Sequence, residues 1–316
     1  MDFKYQHTPD FRNWIVFAPR RSGRPDIAKG NEAICPFCPG NEREDEEVYR
    51  IQSKESRAKS LELTSSLQPQ ASNSDWSLRV VKNAFPFAPI HELIIHSPDH
   101  HRNIDELPTG YVVNLLKTYR SRYILHQAKG QVCIFHNRGM QAGESIPHAH
   151  SQLAVVPVEI EIDAQILLPE NEQEGVKTKY FHIFSPKFAQ WPDEVWLAPL
   201  KGGKRPACHA GIAGRFGEIS DEEILDLAVC LPKVIRLLDL RHGHEFPFNY
   251  SIYPGANWYL RLIPRQKSLG GFEIGTGIFV NTQDPKETDE FLQAHFKLDE
   301  VTQLNEQDKA KYRRHA

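Results

Sequence analysis

The sequence lacks a strong excess of charge of either sign, a long apolar run and a cysteine-rich framework. Its 316 residues include 38 Lys and Arg against 41 Asp and Glu, for a net charge of −3. Without a basic field over the chain, a dedicated nucleic-acid binder is not expected. No apolar run approaches the roughly 20 residues of a membrane span, and Met1–Arg20 holds no apolar core of signal-peptide length. We therefore expect a cytoplasmic protein without nucleic-acid or membrane partners.

Cysteine is scarce, whereas histidine and proline are abundant. Five cysteines are an odd number, which argues against a disulfide framework. Fifteen histidines indicate imidazole chemistry, and 22 prolines favour strands and loops over long helices. An apolar share of 40% and a charged share of 25% exclude a disordered or fibrous chain. The length suits one large domain or two of ordinary size.

Apolar periodicity predicts a mixture of strands and helices. In the first half, one helix is predicted over Asp105–Gln127, where apolar residues recur at helical spacing after acidic residues suited to a helix start. Short apolar or alternating runs predict strands over Trp14–Ala18, Ser77–Lys82, His91–His96, Gln131–His136 and His150–Val156.

The second half repeats this order of elements. A helix is predicted over Ser220–Leu240, whose Ser-Asp-Glu-Glu start resembles a capping box. Strands are predicted over Glu194–Leu197, Asn249–Tyr253 and Asn257–Pro264. The spacing agrees between the halves although their sequence similarity is weak. We therefore predict an α+β fold of two related domains, 1–165 and 166–316, each with an antiparallel sheet and one long helix; independent reuse of strand–helix–strand units is the alternative.

The densest group of chemically active side chains lies in the stretch 136–152. Two glycines there flank a polar loop that can bring backbone N–H groups close to an anion. After the loop, His148, His150 and Gln152 alternate, and residues two apart on a strand project to the same face. Burying such groups unpaired costs about 1–3 kcal/mol each. The pattern therefore predicts a binding or catalytic site, with a satisfied polar patch in the core as the alternative.

The residue types in this row point to chemistry at phosphorus. A neutral histidine is a good nucleophile towards phosphorus when its other ring nitrogen donates to a carbonyl or carboxylate. Gln152 can hydrogen-bond a phosphoryl oxygen, but it cannot act as a general acid or base. It therefore favours transfer of a nucleotidyl group to an incoming phosphate oxygen over hydrolysis.

A CPFC element at residues 35–38 supplies two thiols at a spacing typical of zinc sites. No second Cys-x-x-Cys is present, so the remaining ligands must be distant in sequence. The candidates are His100 or His101, together with His148. A redox motif is the alternative, but a thioredoxin-like motif opens a helix, and here Pro-Gly-Asn follows.

These motifs resemble the galactose-1-phosphate uridylyltransferase family of the histidine-triad superfamily, including its ADP-glucose phosphorylase-like branch. The resemblance covers nearly the whole chain, and its most specific part is PHAHSQ with the upstream CPFC. The matching pieces are WIVFAPRRSGRP, CPFCPGNE, RVVKNAFPF, SPDHH, NRG with AGESIPHAHSQ, and NWYLRLIP with GGFEIGTG. The resemblance implies that each chain contains two histidine-triad-like halves, the first with a zinc site and a nucleophile and the second with a degenerate site. It also implies that two chains form a homodimer.

The resemblance also implies roles for individual residues. His150 matches the nucleophile that takes the nucleotidyl group, and Gln152 matches the residue that stabilises the intermediate. The implied zinc ligands are Cys35, Cys38, His100 and His148, with His101 as the near alternative to His100. The implied contacts to nucleotide, phosphates and sugar are Arg21, Arg24, Asn83, Asn137, Gly143, Ser145, Gly271 and Phe272. For Arg21 and Arg24, the alternative is a solvated basic loop. For Gly271 and Phe272, the alternative is a plain glycine-rich turn at 270–277.

Two departures from the family pattern bear on the site. The stretch 258–263 reads WYLRLI and lacks the His-x-His pair of a second metal site, so a single Zn²⁺ is expected. Glu144 stands where family members often carry a small residue or a cysteine.

The leading hypothesis is a ping-pong nucleotidyltransferase. A nucleoside diphosphate sugar, UDP-glucose or ADP-glucose, would transfer its nucleotidyl group to His150, and a hexose 1-phosphate or inorganic phosphate would take it over. A histidine-triad-type hydrolase of nucleotide conjugates is one alternative. A zinc-stabilised nucleotide-binding module without turnover is the other.

Overall fold

The computed structural model describes residues 3–9, 13–24, 34–42, 46–53, 75–160, 162, 174–200, 215–243 and 245–297. The chain divides into two compact units. The first comprises Met1–His136 and Ser145–Ala164, and the second comprises Asn137–Glu144 and Gln165–Ala316. The short glycine-containing loop at 137–144 therefore groups with the second unit, although the strands on either side of it belong mainly to the first.

The first unit contains a hairpin and an antiparallel five-stranded sheet. The hairpin pairs β1 (Lys4–His7) with β2 (Trp14–Phe17), and a single 3₁₀ turn at Pro19–Gly23 follows. The sheet consists of β3 (Glu47–Gln52), β4 (Trp76–Lys82), β5 (Ile90–Ile95), β6 (Gln131–Arg138) and β7 (His150–Val156), in the spatial order β3-β4-β5-β7-β6.

One long helix, α1 (Thr109–His126), packs against this sheet with a buried apolar stripe that includes Val112, Leu115 and Tyr119. The helix begins four residues later than the sequence predicts. Pro108 is its N-cap, in an extended conformation, and the residue before a proline is disfavoured in the helical region. The acidic residues that suggested a helix start therefore lie in the turn before it.

The second unit also contains a five-stranded antiparallel sheet. Its strands are β8 (Val176–Lys177), β9 (Phe181–Phe184), β10 (Val195–Pro199), β11 (Phe248–Ile252) and β12 (Leu260–Pro264). The helices are α2 (Asp221–His242), α3 (Gly271–Thr276) and α4 (Pro285–His295). None of the helices in the described parts of the chain is long and apolar enough to cross a bilayer.

The start of α2 has the predicted capping box. The backbone N–H of Glu223 donates to Ser220 Oγ at 3.1 Å, and the Glu223 carboxylate accepts from the backbone N–H of Ser220 at 2.8 Å. Two otherwise unpaired donors at the helix start are thereby satisfied.

The two units have the same topology. The strand order within the second unit is β8-β9-β10-β12-β11, which matches β3-β4-β5-β7-β6 of the first. In both, the long helix lies in sequence between the third and fourth strands. The predicted α+β fold of two related halves is confirmed.

Candidate active site

His150 stands at the start of β7, opposite Ile95 of the neighbouring strand. Its Nδ1 lies 2.9 Å from the backbone oxygen of His148. A carbonyl can only accept, so Nδ1 carries the proton and Nε2 keeps its lone pair. Burial lowers the pKa of His150, and the charge of Arg24 lowers it further. At neutral pH the side chain is therefore a neutral imidazole with Nε2 available as a nucleophile.

The opposite face of β7 is anchored to α1. Ser151, which points away from His150, hydrogen-bonds the hydroxyl of Tyr119 and, at 2.7 Å, Nε2 of His96. His136 donates from Nδ1 to the backbone oxygen of His150 at 2.8 Å. These contacts fix β7 from the face opposite the His150 side chain. Packed, buried groups therefore set the position of the His150 ring.

Gln152 is on the same face of β7 as His150, as the alternation predicts, and both side chains line one cavity. The side chain of Gln152 is almost fully buried, and its Oε1 lies 2.9 Å from Nε2 of His91. His148 does not line this cavity. It precedes β7 and instead faces the two cysteines, so the predicted row of three polar side chains serves two adjacent sites.

The cavity beside His150 has a volume of about 280 Å³ and opens to solvent. Phe37 and Ile146 contribute apolar wall, and the Phe37 ring lies 5.1 Å from the ring of His150. The predicted residues that line it are Arg21, Arg24, Asn83, Ser145, His150 and Gln152. Six residues that are dispersed in the sequence are thus brought to one cleft within the first unit.

Two arginines give this cavity a positive character. Arg21 donates to the backbone oxygen of Phe85 at 2.7 Å and lies over the ring of Phe87. Burial, together with the nearby charge of Arg24, lowers the pKa of Arg21. In the described parts of the chain neither guanidinium pairs with a carboxylate. Two such cations beside a nucleophile suit a phosphate-bearing ligand.

Four predicted ligands converge next to this cavity. The ligand atoms of Cys35, Cys38, His100 and His148 all lie within 4.8 Å of one another. Nδ1 of His100 is 3.2 Å from the sulfur of Cys38, and Nδ1 of His148 is 3.7 Å and 3.6 Å from the sulfurs of Cys35 and Cys38. His101 is exposed and is not part of the cluster.

The donor set fits a tetrahedral zinc ion. Zn–S bonds of about 2.3 Å and Zn–N bonds of about 2.0–2.1 Å place sulfur and nitrogen about 3.5 Å apart, which is the separation seen here. His148 donates from Nε2 to the backbone oxygen of Ser97 at 2.8 Å, so its Nδ1 lone pair is directed at the cysteines. Burial lowers the pKa of His148 to about 4, which keeps the ring neutral. The described residues directly after Cys38, 39–42, form a turn and no helix, unlike a thioredoxin-like redox motif.

The glycine-containing loop at 137–144 is part of the second unit and is built around positive φ angles. Gly139 and Gly143 have φ values of 81° and 84°, which favour glycine. Asn137 accepts from the side chain of Asn249 at 2.8 Å, and Asn249 also donates to the Ala142 carbonyl. Asn249 is not predicted from the sequence, because its partners lie more than 100 positions away and no local pattern marks it.

Glu144 closes the same loop. Its carboxylate accepts from the backbone N–H of Gly139 at 2.7 Å, and burial raises its pKa to about 7. The residue that departs from the family pattern therefore has a structural role in the loop.

Gly271 and Phe272 lie elsewhere. They belong to α3 in the second unit, and 55% of the Phe272 surface is exposed. Neither is among the residues that line the cavity of the first unit.

His91 is a further residue near His150 that is not among the site residues predicted from the sequence. It lies on β5, is buried, and contacts Gln152 and Asn83 of the candidate site. A polar residue at the start of the apolar run HELIIH was the available signal. The pairing of β5 with β7, which makes the signal informative, joins residues about 60 positions apart.

The second unit has aromatic rings at the positions that correspond to His91 and Gln152 of the first unit. Aligning HSQLAVVP of β7 with NWYLRLIP of β12 places Tyr259 at the position of Gln152. The same alignment, with the pairing of β5 to β7 and of β10 to β12, places Trp196 at the position of His91. The rings of Trp196 and Tyr259 stack in parallel with centroids 4.0 Å apart. The second unit therefore lacks the nucleophile and its polar neighbours at these positions.

Comparison with known proteins matches the first half of the chain to a family and most of the chain to individual relatives. Residues 18–155 match the family described as "Galactose-1-phosphate uridyl transferase, N-terminal domain". ADP-glucose phosphorylase from Arabidopsis thaliana is 25% identical over 341 residues, which cover 88% of this chain and 89% of the relative. Galactose-1-phosphate uridylyltransferase from Thermotoga maritima is 23% identical over 326 residues, covering 91% and 96%.

Solved structures share the fold. The crystal structure of an ADP-glucose phosphorylase from Arabidopsis thaliana with bound ADP-glucose has a TM-score of 0.63 at 21% identity, covering 92% of this chain and 98% of that one. A uridylyltransferase structure has a TM-score of 0.65 at 18% identity, covering 92% and 97%.

Proposed function

Because the predicted resemblance to the galactose-1-phosphate uridylyltransferase family is confirmed, we propose that this protein is a nucleotidyltransferase. It moves a nucleotidyl group from a nucleoside diphosphate sugar, UDP-glucose or ADP-glucose, to a hexose 1-phosphate or to inorganic phosphate. One observation carries the proposal: His150 is a neutral imidazole with Nε2 as its lone-pair nitrogen, in a cavity that also contains Arg21 and Arg24, neither of which pairs with a carboxylate of the described residues.

The first half-reaction forms a covalent intermediate on His150. Nε2 attacks the α-phosphorus, the new N–P bond forms, and the bond from the α-phosphorus to the bridging oxygen breaks. That oxygen leaves as part of the sugar 1-phosphate. The ring becomes cationic, and its Nδ1–H bond to the His148 carbonyl stabilises the charge without a proton transfer.

The second half-reaction reverses these bonds with a new acceptor. A phosphate oxygen of the acceptor attacks the α-phosphorus and the N–P bond breaks, which returns His150 to its neutral form. The attacking oxygen is already ionised at neutral pH, so no general base is needed. Gln152 supplies a hydrogen bond to the phosphoryl group and no proton, which favours this transfer over hydrolysis by water.

Charge on the substrate is balanced locally. Arg21 and Arg24 line the cavity and serve the phosphates, and Ser145 lies beside His150 in the same lining. We assign Asn83 to the nucleotide. The remaining assignments follow the family resemblance alone: Asn137 and Gly143 for the phosphate loop, and Gly271 and Phe272 for the sugar or acceptor.

The Cys₂His₂ cluster is assigned to zinc. Cys35, Cys38, His100 and His148 would hold it, with His148 linking the CPFC loop to the start of the catalytic strand. When bound, the ion supplies structural cross-linking and no reaction step.

The finer assignments rest on the same resemblance. We propose two domains, 1–165 with the active site and 166–316 with a degenerate one, a homodimer as the working form, and the cytoplasm as the location.

Label transfer tests the mechanism. Protein incubated with UDP-glucose or ADP-glucose labelled at the α-phosphorus is expected to acquire acid-labile label, and His150→Asn is expected to acquire none. A wild-type protein that stays unlabelled, or a His150→Asn variant that still becomes labelled, contradicts the proposal. Sustained release of nucleoside monophosphate without an acceptor favours the hydrolase, and nucleotide binding without exchange favours the binding module.

A further inference from the structure

His91 lies directly behind Gln152 and does not line the cavity. It is 5% exposed, and its Nε2 is 2.9 Å from Oε1 of Gln152. Gln152 has two chemically opposite ends, a carbonyl that accepts and an NH₂ that donates. Whichever end is held by His91, the other is left for the phosphoryl group beside His150.

The backbone at Phe87 decides which ring nitrogen of His91 is protonated. The N–H of Phe87 points at Nδ1 of His91 at 3.4 Å. A backbone N–H can only donate, so this contact is a hydrogen bond only when Nδ1 holds a lone pair. Burial lowers the pKa of His91 to about 4, so the ring is neutral and its single proton is on Nε2.

The second neighbour of Nε2 is a competing donor, because an NH₂ group can only donate. Asn83 accepts the N–H of Phe85 at 2.8 Å through Oδ1, which leaves its NH₂ group 3.2 Å from Nε2 of His91. The contact from Nε2 to Oε1 of Gln152 is shorter, at 2.9 Å, and the N–H of Phe87 at Nδ1 also calls for the proton on Nε2, so two contacts favour this tautomer against one. With the other tautomer, an N–H at Nδ1 would face the N–H of Phe87 and two acceptors would face each other at Gln152.

We propose that His91 is a positioning residue for the nucleotidyl-transfer site. By donating from Nε2 to Oε1 of Gln152, it fixes the amide so that the NH₂ group faces the phosphoryl group. Without this contact the amide can flip and present its carbonyl oxygen, which repels a phosphoryl oxygen. The inference rests on the proposed function and adds to it the reason why Gln152 acts as a donor.

Two substitutions of His91 separate positioning from packing. In His91→Gln, the amide nitrogen takes the place of Nε2 and can still donate to Gln152. In His91→Asn, the amide nitrogen takes the place of Nδ1 and cannot reach it. Both variants remove the ring, so a merely structural role would affect them alike.

The readout is the rate at which the enzyme is labelled by a nucleoside diphosphate sugar. We expect His91→Asn to lower that rate about 10–100-fold with little change in KM, and His91→Gln to keep most of it. In a Gln152→Ala background, His91→Asn should cause no further loss, because both act through one amide. A His91→Asn variant as fast as wild type, or a His91→Gln variant as slow as His91→Asn, overturns the proposal.

A second measurement does not depend on turnover. Nitrogen-15 NMR of histidine-labelled protein reports the tautomer of each ring, and the His91 signal is the one lost in His91→Gln. We expect the proton on Nε2 at neutral pH, and a proton on Nδ1 overturns the assignment. If wild-type protein is never labelled, the proposed function is wrong, whereas the tautomer still decides the role of His91 towards Gln152.

Discussion

Glu144 is a carboxyl group that the fold holds partly away from water, and its replacement by glutamine should stabilise the protein in a pH-dependent way. Burial raises its pKa from 4.5 to about 7, and the negative charge of Glu245 adds to this effect. The carboxylate accepts one backbone N–H, from Gly139. Glutamine keeps an oxygen that can accept the same N–H and cannot ionise.

The expected magnitude follows from the two pKa values. A difference between 4.5 and about 7, at about 1.4 kcal/mol per pH unit, corresponds to about 3 kcal/mol. Glu144 binds a proton more tightly in the folded protein than in the unfolded protein. The stabilisation that this proton gives to the folded state is therefore complete below pH 4.5. It is lost as the pH rises through 7. The value is an upper bound, since solvent reaches part of the side chain.

Urea denaturation at pH 4.5, 6 and 8 measures this difference. Glu144→Gln should match wild type at pH 4.5 and exceed it by up to about 3 kcal/mol at pH 8. The pKa of Asp289 is also raised to about 7, but that group is present in both proteins and cancels. Glu245→Gln, which removes an exposed carboxylate whose charge is a lesser cause of the raised pKa, is the matched control and should produce a much smaller gain. A difference that is constant between pH 4.5 and 8 would refute the reasoning.

Two further predictions concern the metal cluster and the core of the second unit. Cys38→Ser should abolish tightly bound zinc, measured by atomic absorption on protein purified without chelator; a zinc content equal to wild type contradicts the assignment. Arg261→Leu leaves Glu194 buried without its cation, which should cost about 3–5 kcal/mol in free energy of unfolding. In the control Lys286→Leu, which removes an exposed pair with Glu290, the loss should be at most about 1 kcal/mol. Equal losses in the two variants would show that burial of the pair is irrelevant.

The sequence predicts those structural features that depend on residues close to one another in the chain. The strand β7 and the shared face of His150 and Gln152 follow from two-residue periodicity. The capping box of Ser220 and Glu223 follows from four adjacent residues. The predicted start of α1 at Asp105 is wrong, because Pro108 disfavours the helical conformation in the residue before it and the helix begins at Thr109.

Features that depend on pairing between distant segments could not be predicted. The choice of His100 over His101 as a neighbour of Cys38 depends on how a loop after β5 turns, and the two imidazoles are adjacent in sequence. The contact of His91 with Gln152 requires the register between β5 and β7. The contact of Asn249 with Asn137 spans 112 positions and has no local signature.

The stacked rings of Trp196 and Tyr259 also bear on how the protein can evolve. Replacing Tyr259 alone by glutamine would place an amide against a fully buried indole, and an unpaired buried amide costs about 1–3 kcal/mol. Replacing Trp196 alone by histidine would leave a void where a large ring had packed. Each single substitution towards a polar pair is therefore destabilising. The aromatic stack therefore opposes the appearance of a histidine–glutamine pair at these positions of the second unit.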